Sequence, residues 1–159
     1  MKNNSNSTTT TQNNPFNQKL SNLMKQDHER RLRFNKPVRI ISQFIKAIND
    51  NLKEGFECYL EQGSVSDDSK CELAIVIAQK RSQRLFGTLG DSRPWNITTV
   101  KLDYQNGFPA EICHVLGEEP SFKRIAESQR ELEITLSDLL EQTYIKMVLS
   151  LCLKKLVSR

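Results

Sequence analysis

The hydrophobic period of this 159-residue chain changes after Gly55, and this change constrains the fold more than any other feature. Before it, between Pro37 and Lys53, apolar side chains recur at steps of three and four, which is the spacing of an amphipathic helix. After it, apolar and polar residues alternate from Phe56 onward, as in a half-buried strand. A chain with both periods belongs to a mixed class of fold. The helical stripe consists of Val38, Ile41, Ile45, Ile48 and Leu52.

Three further segments have the composition of β-strands. Residues 71–79 are continuously apolar in their middle, which is typical of a strand near the centre of a sheet. Residues 96–104 and 108–116 alternate, and the short segment Gln105-Asn106-Gly107 joins them. Because short loops connect antiparallel neighbours, the sequence predicts a four-stranded, mainly antiparallel meander.

The turn between the last two predicted strands fixes a register. A two-residue turn at Asn106-Gly107 would place Leu102 opposite Glu111 and would mix core and solvent residues on one face. A three-residue loop with the glycine in the left-handed conformation places Leu102 opposite Ala110 instead, so we expect this longer loop. The predicted pairs are Leu102–Ala110, Lys101–Glu111, Val100–Ile112, Tyr104–Phe108 and Thr98–His114.

Helices are predicted on both sides of these strands. Apolar residues at helical spacing predict a short first helix over 16–34, and Pro37 is expected to end it and to open a second helix over 37–53. Glu118-Glu119-Pro120 is expected to open one long C-terminal helix. The predicted fold is therefore α+β, with N-terminal helices and one long C-terminal helix packed on one face of the meander.

Composition divides the chain into a tail and one domain. Residues 1–15 are rich in Asn, Ser and Thr, and they lack the apolar surface that offsets chain entropy, so we expect a disordered tail and a single domain over 16–159. No stretch resembles a secretory signal or a membrane span, which predicts a cytoplasmic protein with no membrane span. The cysteines have no C-x-x-C spacing and predict reduced, buried thiols. They are Cys58, Cys71, Cys113 and Cys152.

No group of residues predicts catalysis. Cys113 and His114 are adjacent, but neighbours in a strand point to opposite faces, so His114 is expected to be structural. Asp103 and Glu111 are expected on the solvent face with the ordinary pKa of a carboxyl group. The segment 87–90 has a G-x-x-G spacing without basic inner residues and is expected to be an ordinary turn. We therefore expect no enzyme, no cofactor and no metal.

Basic residues are concentrated in two segments. The chain carries a net charge of +4, and residues 24–39 alone account for it. A smaller cluster lies at 80–95, beside the single tryptophan. Basic side chains near an aromatic ring bind phosphates and stack on bases, whereas the alternative is that the arginines pair with Glu127, Glu131 and Glu133 of the last helix. The candidate binding residues are Arg30, Arg31, Arg33, Lys36, Arg39, Lys80, Arg81, Arg84, Arg93 and Trp95.

The last helix offers a second candidate surface. Residues 144–157 are apolar around most of the circumference, and such a helix must be buried on more than one side. Leu136 and Leu140 are expected in the main core because they share one face. The excess apolar face near Leu149 and Leu153 is expected to meet the second helix or another chain.

Two functions are compatible with these features. The first is a non-catalytic binding protein, such as an adaptor, an inhibitor or a chaperone-like module. It would dock a protein partner, or a second copy of itself, through the sheet edge or the last helix. The alternative is a nucleic-acid-associated protein that binds the phosphate backbone through residues 25–39 and 80–95. The two functions differ in salt dependence, because phosphate binding weakens steeply as salt rises.

Overall fold

A mixed architecture is present in the computed structural model, which describes residues 14–65, 69–80 and 93–154. Within these ranges one antiparallel sheet has the strand order β1-β2-β3-β4-β5, so every strand pairs with its neighbour in the chain. The predicted α+β class and the antiparallel meander are confirmed. The strands are β1 (Phe56–Val65), β2 (Lys70–Gln79), β3 (Trp95–Asp103), β4 (Ala110–Val115) and β5 (Arg124–Ala126), and the helices are α1 (Pro15–Asn51), α2 (Gln129–Leu139) and α3 (Thr143–Cys152).

The hydrophobic core lies between the helices and one face of the sheet. Alternate residues of a strand point to one face, and in β2 those residues join buried side chains of all three helices. From the strands the core takes Leu73, Ile75 and Ile77 of β2, among others, and from the helices it takes Ile41 of α1, Leu136 of α2 and Ile145 of α3, among others. The opposite face carries charged residues, including Glu72, Lys101 and Glu111.

The N-terminal part is one helix, and the prediction of two helices separated at Pro37 is wrong. α1 runs without a break over 37 residues, about 55 Å at 1.5 Å per residue. Asn14 and Pro15, placed in the predicted tail, open this helix: the Asn14 side chain accepts a hydrogen bond from the Phe16 amide at 3.0 Å. The rest of that predicted tail, residues 1–13, lies outside the described residues.

Pro37 lies inside α1 at the point where the β3–β4 turn packs against the helix. Proline has no N–H to offer the carbonyl of Arg33, four residues earlier. The β3–β4 turn approaches the helix at this point, and a Cβ on Gly107 would lie 2.7 Å from the Arg33 carbonyl oxygen and 3.1 Å from the proline ring. Only a residue without a side chain fits here, and its φ of +79° also favours glycine. Pro37 is therefore a packed contact with the turn and not a helix end.

The C-terminal region differs from the prediction of one long helix. A fifth strand, β5, occupies part of the segment that was predicted to be helical, and it pairs with β4. α2 begins after Ser128, whose side chain accepts a hydrogen bond from the Glu131 amide, and it ends before a turn at Leu140. α3 then carries the chain back toward the end of α1, where Leu52 and Leu153 form an isolated bridge. The break gives each helix its own contact with the core.

The predicted register of the β3–β4 hairpin is confirmed for the three residue pairs nearest the turn. Leu102 pairs with Ala110, Lys101 with Glu111 and Val100 with Ile112. The predicted positive φ of Gly107 is also present. The Gly107 amide donates to the Asp103 carbonyl at 2.7 Å, and the Asp103 carboxylate accepts hydrogen bonds from the amides of Gln105 and Asn106. The predicted pair of Tyr104 and Phe108 is wrong, because both residues lie outside the strands and the Tyr104 ring contacts Phe34 of α1.

Further along the hairpin, the predicted pairing of Thr98 with His114 is wrong. The register shifts between Thr99 and Val100, so that Thr99 lies opposite His114 and Thr98 opposite Val115. The Thr98 hydroxyl does meet His114, but it donates to the main-chain carbonyl, at 2.6 Å. The His114 side chain is exposed and is not the hydrogen-bonded core residue that was expected. A β-bulge cannot be read from alternation alone, because one inserted residue reverses the faces that follow.

The outer edge of β1 is partly closed by a side chain. The Asn49 amide group donates to the Cys58 carbonyl at 2.7 Å and accepts from the Cys58 amide at 2.8 Å. It therefore replaces the pair of hydrogen bonds that a neighbouring strand would make. Unpaired edges attract other chains, and Asn49 blocks that contact at one position of the ladder.

Candidate functional site: a helical arm beyond the sheet

The first turns of α1 extend beyond the rest of the molecule. Every residue from Asn14 to Gln26 is exposed, and the first fully buried residue of the helix is Pro37. We call residues 15–26 the helical arm. No described strand or helix covers this segment, so any contact that buries it must come from residues outside the described ranges or from another molecule.

The helical arm presents an apolar stripe to solvent. Phe16 and Met24 are 72% and 73% exposed, and Leu20 and Leu23 are 57% and 59% exposed. Their spacing puts them on one side of the helix. Leu20 and Leu23 lie five helical turns before Val38 and Ile41, which face the core. The stripe of the arm is thus the outward continuation of the stripe that packs on the sheet. We call these four residues the arm stripe.

The base of the arm is fixed to the β3–β4 turn. The Arg30 guanidinium lies 4.3 Å from the centre of the Tyr104 ring, a cation–π contact. Phe34 meets the same ring edge to face, with centroids 5.8 Å apart. Arg33 donates to the Gln105 carbonyl at 3.3 Å. These contacts hold the direction in which the arm leaves the sheet.

A cluster of charged residues follows the arm stripe along α1. Asp27 accepts from Arg30 at 2.8 Å and lies 2.7 Å from the Arg31 guanidinium. These arginines lower the pKa of the Asp27 carboxyl, chiefly through the hydrogen bond from Arg30. The alternative expectation for Arg30, Arg31 and Arg33 is therefore wrong, because their partners are Asp27 and the turn and not Glu127, Glu131 and Glu133.

The remaining basic candidates of the first segment face solvent. Lys36 and Arg39 are exposed, and among the described residues neither has an ion pair or a side-chain hydrogen bond. Arg31 is 69% exposed despite its contact with Asp27. Arg30 is only 15% exposed, and its role in the structure is the contact with Tyr104.

The second basic segment does not join the first. The Lys80 amide donates a hydrogen bond to the Gly55 carbonyl, just beyond the C-terminal end of α1. Arg33, in contrast, contacts the β3–β4 turn at the other end of the sheet. Lys80 and Arg93 are exposed, and Trp95 packs against the core. Arg81, Arg84 and the predicted turn at 87–90 lie outside the described residues.

The last helix exposes a different face from the one predicted. Leu149 is buried in the core, and Leu153 packs against it and bridges Leu52 at the end of α1, so of the two expected contacts the one with the predicted helix over 37–53 is present. The exposed apolar residues of α3 are Tyr144, Met147 and Leu151. In α2, Leu136 is buried as expected, whereas Leu140 is half-buried and Leu139 takes its place in the core.

The thiols show no sign of activation. Burial raises the pKa of Cys58 to about 12, and it also raises the pKa of Cys113, the thiol beside His114. A raised pKa lowers the fraction of reactive thiolate. In the described ranges the cysteines are unpaired, and no group of three His, Cys, Asp or Glu residues could hold a metal ion.

Sequence reasoning found the helical spacing of the arm stripe but not its exposure. One feature of the sequence did indicate this exposure. The apolar residues before and after Pro37 lie on one face of a single helix, and no strand is long enough to cover both halves of that face. Among the described helices none is both long and apolar enough to cross a membrane. Comparison of the chain with models of protein families, with curated proteins and with solved structures gave no match.

Proposed function

We propose that this chain is a non-catalytic binding protein whose helical arm docks a macromolecular partner. The observation that carries the proposal is the exposed arm stripe of Phe16, Leu20, Leu23 and Met24. Large apolar side chains grouped on one face of an exposed element mark interaction sites, because water is displaced from them on binding. An amphipathic helix that inserts its apolar face into a groove is a recurring mode of recognition.

The arm is favoured over the last helix and over the β1 edge of the sheet. On the last helix, Leu149 and Leu153 are taken up by the core. On the edge of β1, the Asn49 side chain hydrogen-bonds the main-chain N–H and C=O of Cys58. The arm, in contrast, has apolar surface and a fixed base.

Cross-linking in the full-length protein tests this proposal. A photoreactive amino acid at Met24 should give an adduct in an extract of cells that express the protein. Competition with unlabelled parent should remove the adduct, and competition with a Leu20→Glu, Leu23→Glu variant should not. The same reagent at Leu32 is the matched control, since Leu32 is 55% exposed and lies outside the arm stripe. Equal adducts at both positions would overturn the proposal.

Nucleic-acid binding is the second candidate, and the exposed cations Arg31, Lys36 and Arg39 favour it. Changing these three residues to Ala should weaken retention on duplex DNA or RNA and reduce the salt slope by about one for each lost phosphate contact. The Leu20→Glu, Leu23→Glu variant should leave retention unchanged if phosphates are the ligand. Equal retention by the parent and the triple variant at low salt would eliminate this candidate.

A further inference from the structure

We infer that the partner of the helical arm is a protein groove with an apolar floor and an acidic rim. This inference rests on the proposed function, and it adds the chemistry of the partner. The arm contains Lys19 and Lys25 and no acidic residue. At its base Arg31 remains 69% exposed. A helix with one apolar face and only basic charged residues fits such a groove by both burial and charge.

A second copy of the chain fits the arm less well. Two arms packed together would bring two positively charged helices into contact, and like charges oppose association. The exposed apolar residues of α3 are Tyr144, Met147 and Leu151, and at the C-terminal end of that helix Lys53 donates to the Leu151 carbonyl at 2.7 Å. At its N-terminal end the carboxylate of Glu141 is paired with Lys146 of the same chain.

The composition of the arm also indicates that binding stabilises its helix. Residues 15–26 include Asn17, Ser21 and Asn22, which have lower helix propensity than Ala or Leu. A helix of this length without tertiary contacts is marginal in water, and here it is extended from the packed half of α1. A groove that covers the arm stripe supplies the contacts that the sheet supplies further along the helix.

Calcium-loaded calmodulin is a suitable probe, because it is acidic and its opened lobes expose a Met-rich groove. We expect the full-length protein to bind it in titration calorimetry, and we expect a calcium chelator to abolish binding. Leu20→Glu with Leu23→Glu should weaken binding on the order of 100-fold, and Lys19→Ala with Lys25→Ala about fivefold. Leu32→Ala should bind like the parent.

The outcomes separate the partner chemistry from the function itself. Absence of binding to calcium-loaded calmodulin, or binding that ignores Leu20 and Leu23, would overturn the acidic groove. Stripe-dependent binding to vesicles of equal phosphatidylserine and phosphatidylcholine, tighter than to calmodulin, would replace it with a membrane surface. Stripe-dependent dimers in sedimentation would replace it with a second copy. With a second copy as partner, a Met24 protein adduct would persist in the cross-linking experiment, whereas a membrane surface, or loss of that adduct, refutes the proposed function.

Discussion

The two halves of α1 have the same apolar spacing and opposite environments. Ile41, Ile45 and Ile48 of the second half are buried against the sheet, while Phe16, Leu20 and Leu23 of the first half are exposed. The sheet ends at the β3–β4 turn, and the helix does not. Periodicity therefore determines which side of a helix is apolar, but the extent of the neighbouring layer determines how much of that side is buried.

The largest expected effect is the difference in stability between matched substitutions in the two halves. Ile41→Ala should lower the free energy of unfolding by about 2–5 kcal/mol, because Ile41 is fully buried and the change leaves a cavity. Leu20→Ala should change it by less than about 0.5 kcal/mol. Urea unfolding followed by the fluorescence of Trp95 measures both. Similar losses for the two variants would mean that the arm is covered within the chain.

The contact between the β3–β4 turn and the middle of α1 is tested by a substitution of Gly107. Gly107→Ala should cost about 3 kcal/mol, because the new methyl group would meet the Arg33 carbonyl and because φ is +79°. Gly63→Ala is the control. Its Cβ would lie 3.2 Å from the Glu72 Cβ, and the backbone there is not left-handed, so the loss should be smaller. A fully stable Gly107→Ala protein would show that the turn does not press on the helix at Pro37.

A polar residue of the buried half should matter more to stability than an apolar residue of the arm. Asn49→Ala removes both hydrogen bonds to Cys58 and should cost about 1–2 kcal/mol. It also uncovers the edge of β1, so we expect association that rises with protein concentration in sedimentation. Asn51→Ala, which removes a bond only within the helix, should stay monomeric. A monomeric Asn49→Ala protein would rule out edge protection by this side chain.

The smallest expected effect is the contribution of Glu111 to the pH dependence of stability. The pKa of Glu111 is lowered, chiefly by the hydrogen bond from Lys70 at 2.7 Å and further by Lys123. Stability from this carboxylate is present above the ordinary glutamate pKa of 4.5 and is lost as the pH falls below it through the lowered value.

The variant Glu111→Gln should lose about 0.5–1 kcal/mol at neutral pH and show a flatter acid limb in thermal unfolding. Glu61→Gln, on an exposed residue of the same sheet face, is the control. An unchanged acid limb in Glu111→Gln would assign the acid sensitivity to other groups.

Local patterns predicted the features that depend on local geometry. The alternation after Gly55 predicted the first strands, and the requirement for one apolar face predicted the pairing of Leu102 with Ala110. The same patterns failed where a distant contact decides the outcome. The ring of Pro37 packs inside a continuous helix against a turn where Gly107 leaves room for it, and His114 changes face because a bulge precedes it.

The candidate site was predictable only in part. The spacing of Phe16, Leu20 and Leu23 was visible, but their exposure depends on where the sheet stops. Of the residues predicted as a partner surface on the last helix, Leu149 is buried and Leu153 is partly buried, because the chain turns after Leu140 and brings that face of α3 onto the core. Charge alone did not separate Arg30, which stacks on Tyr104, from Lys36 and Arg39.

The continuity of α1 through Pro37 has a mechanical consequence. A pulling force on a partner bound at the arm would travel along the axis of one helix into the domain. There it would load the isoleucines of the second half, Ile41, Ile45 and Ile48, in shear along the sheet, so that several buried contacts resist together. A hinge at Pro37 would instead let the arm peel away from its base one contact at a time. The uninterrupted helix makes the arm a handle that transmits tension directly to the core.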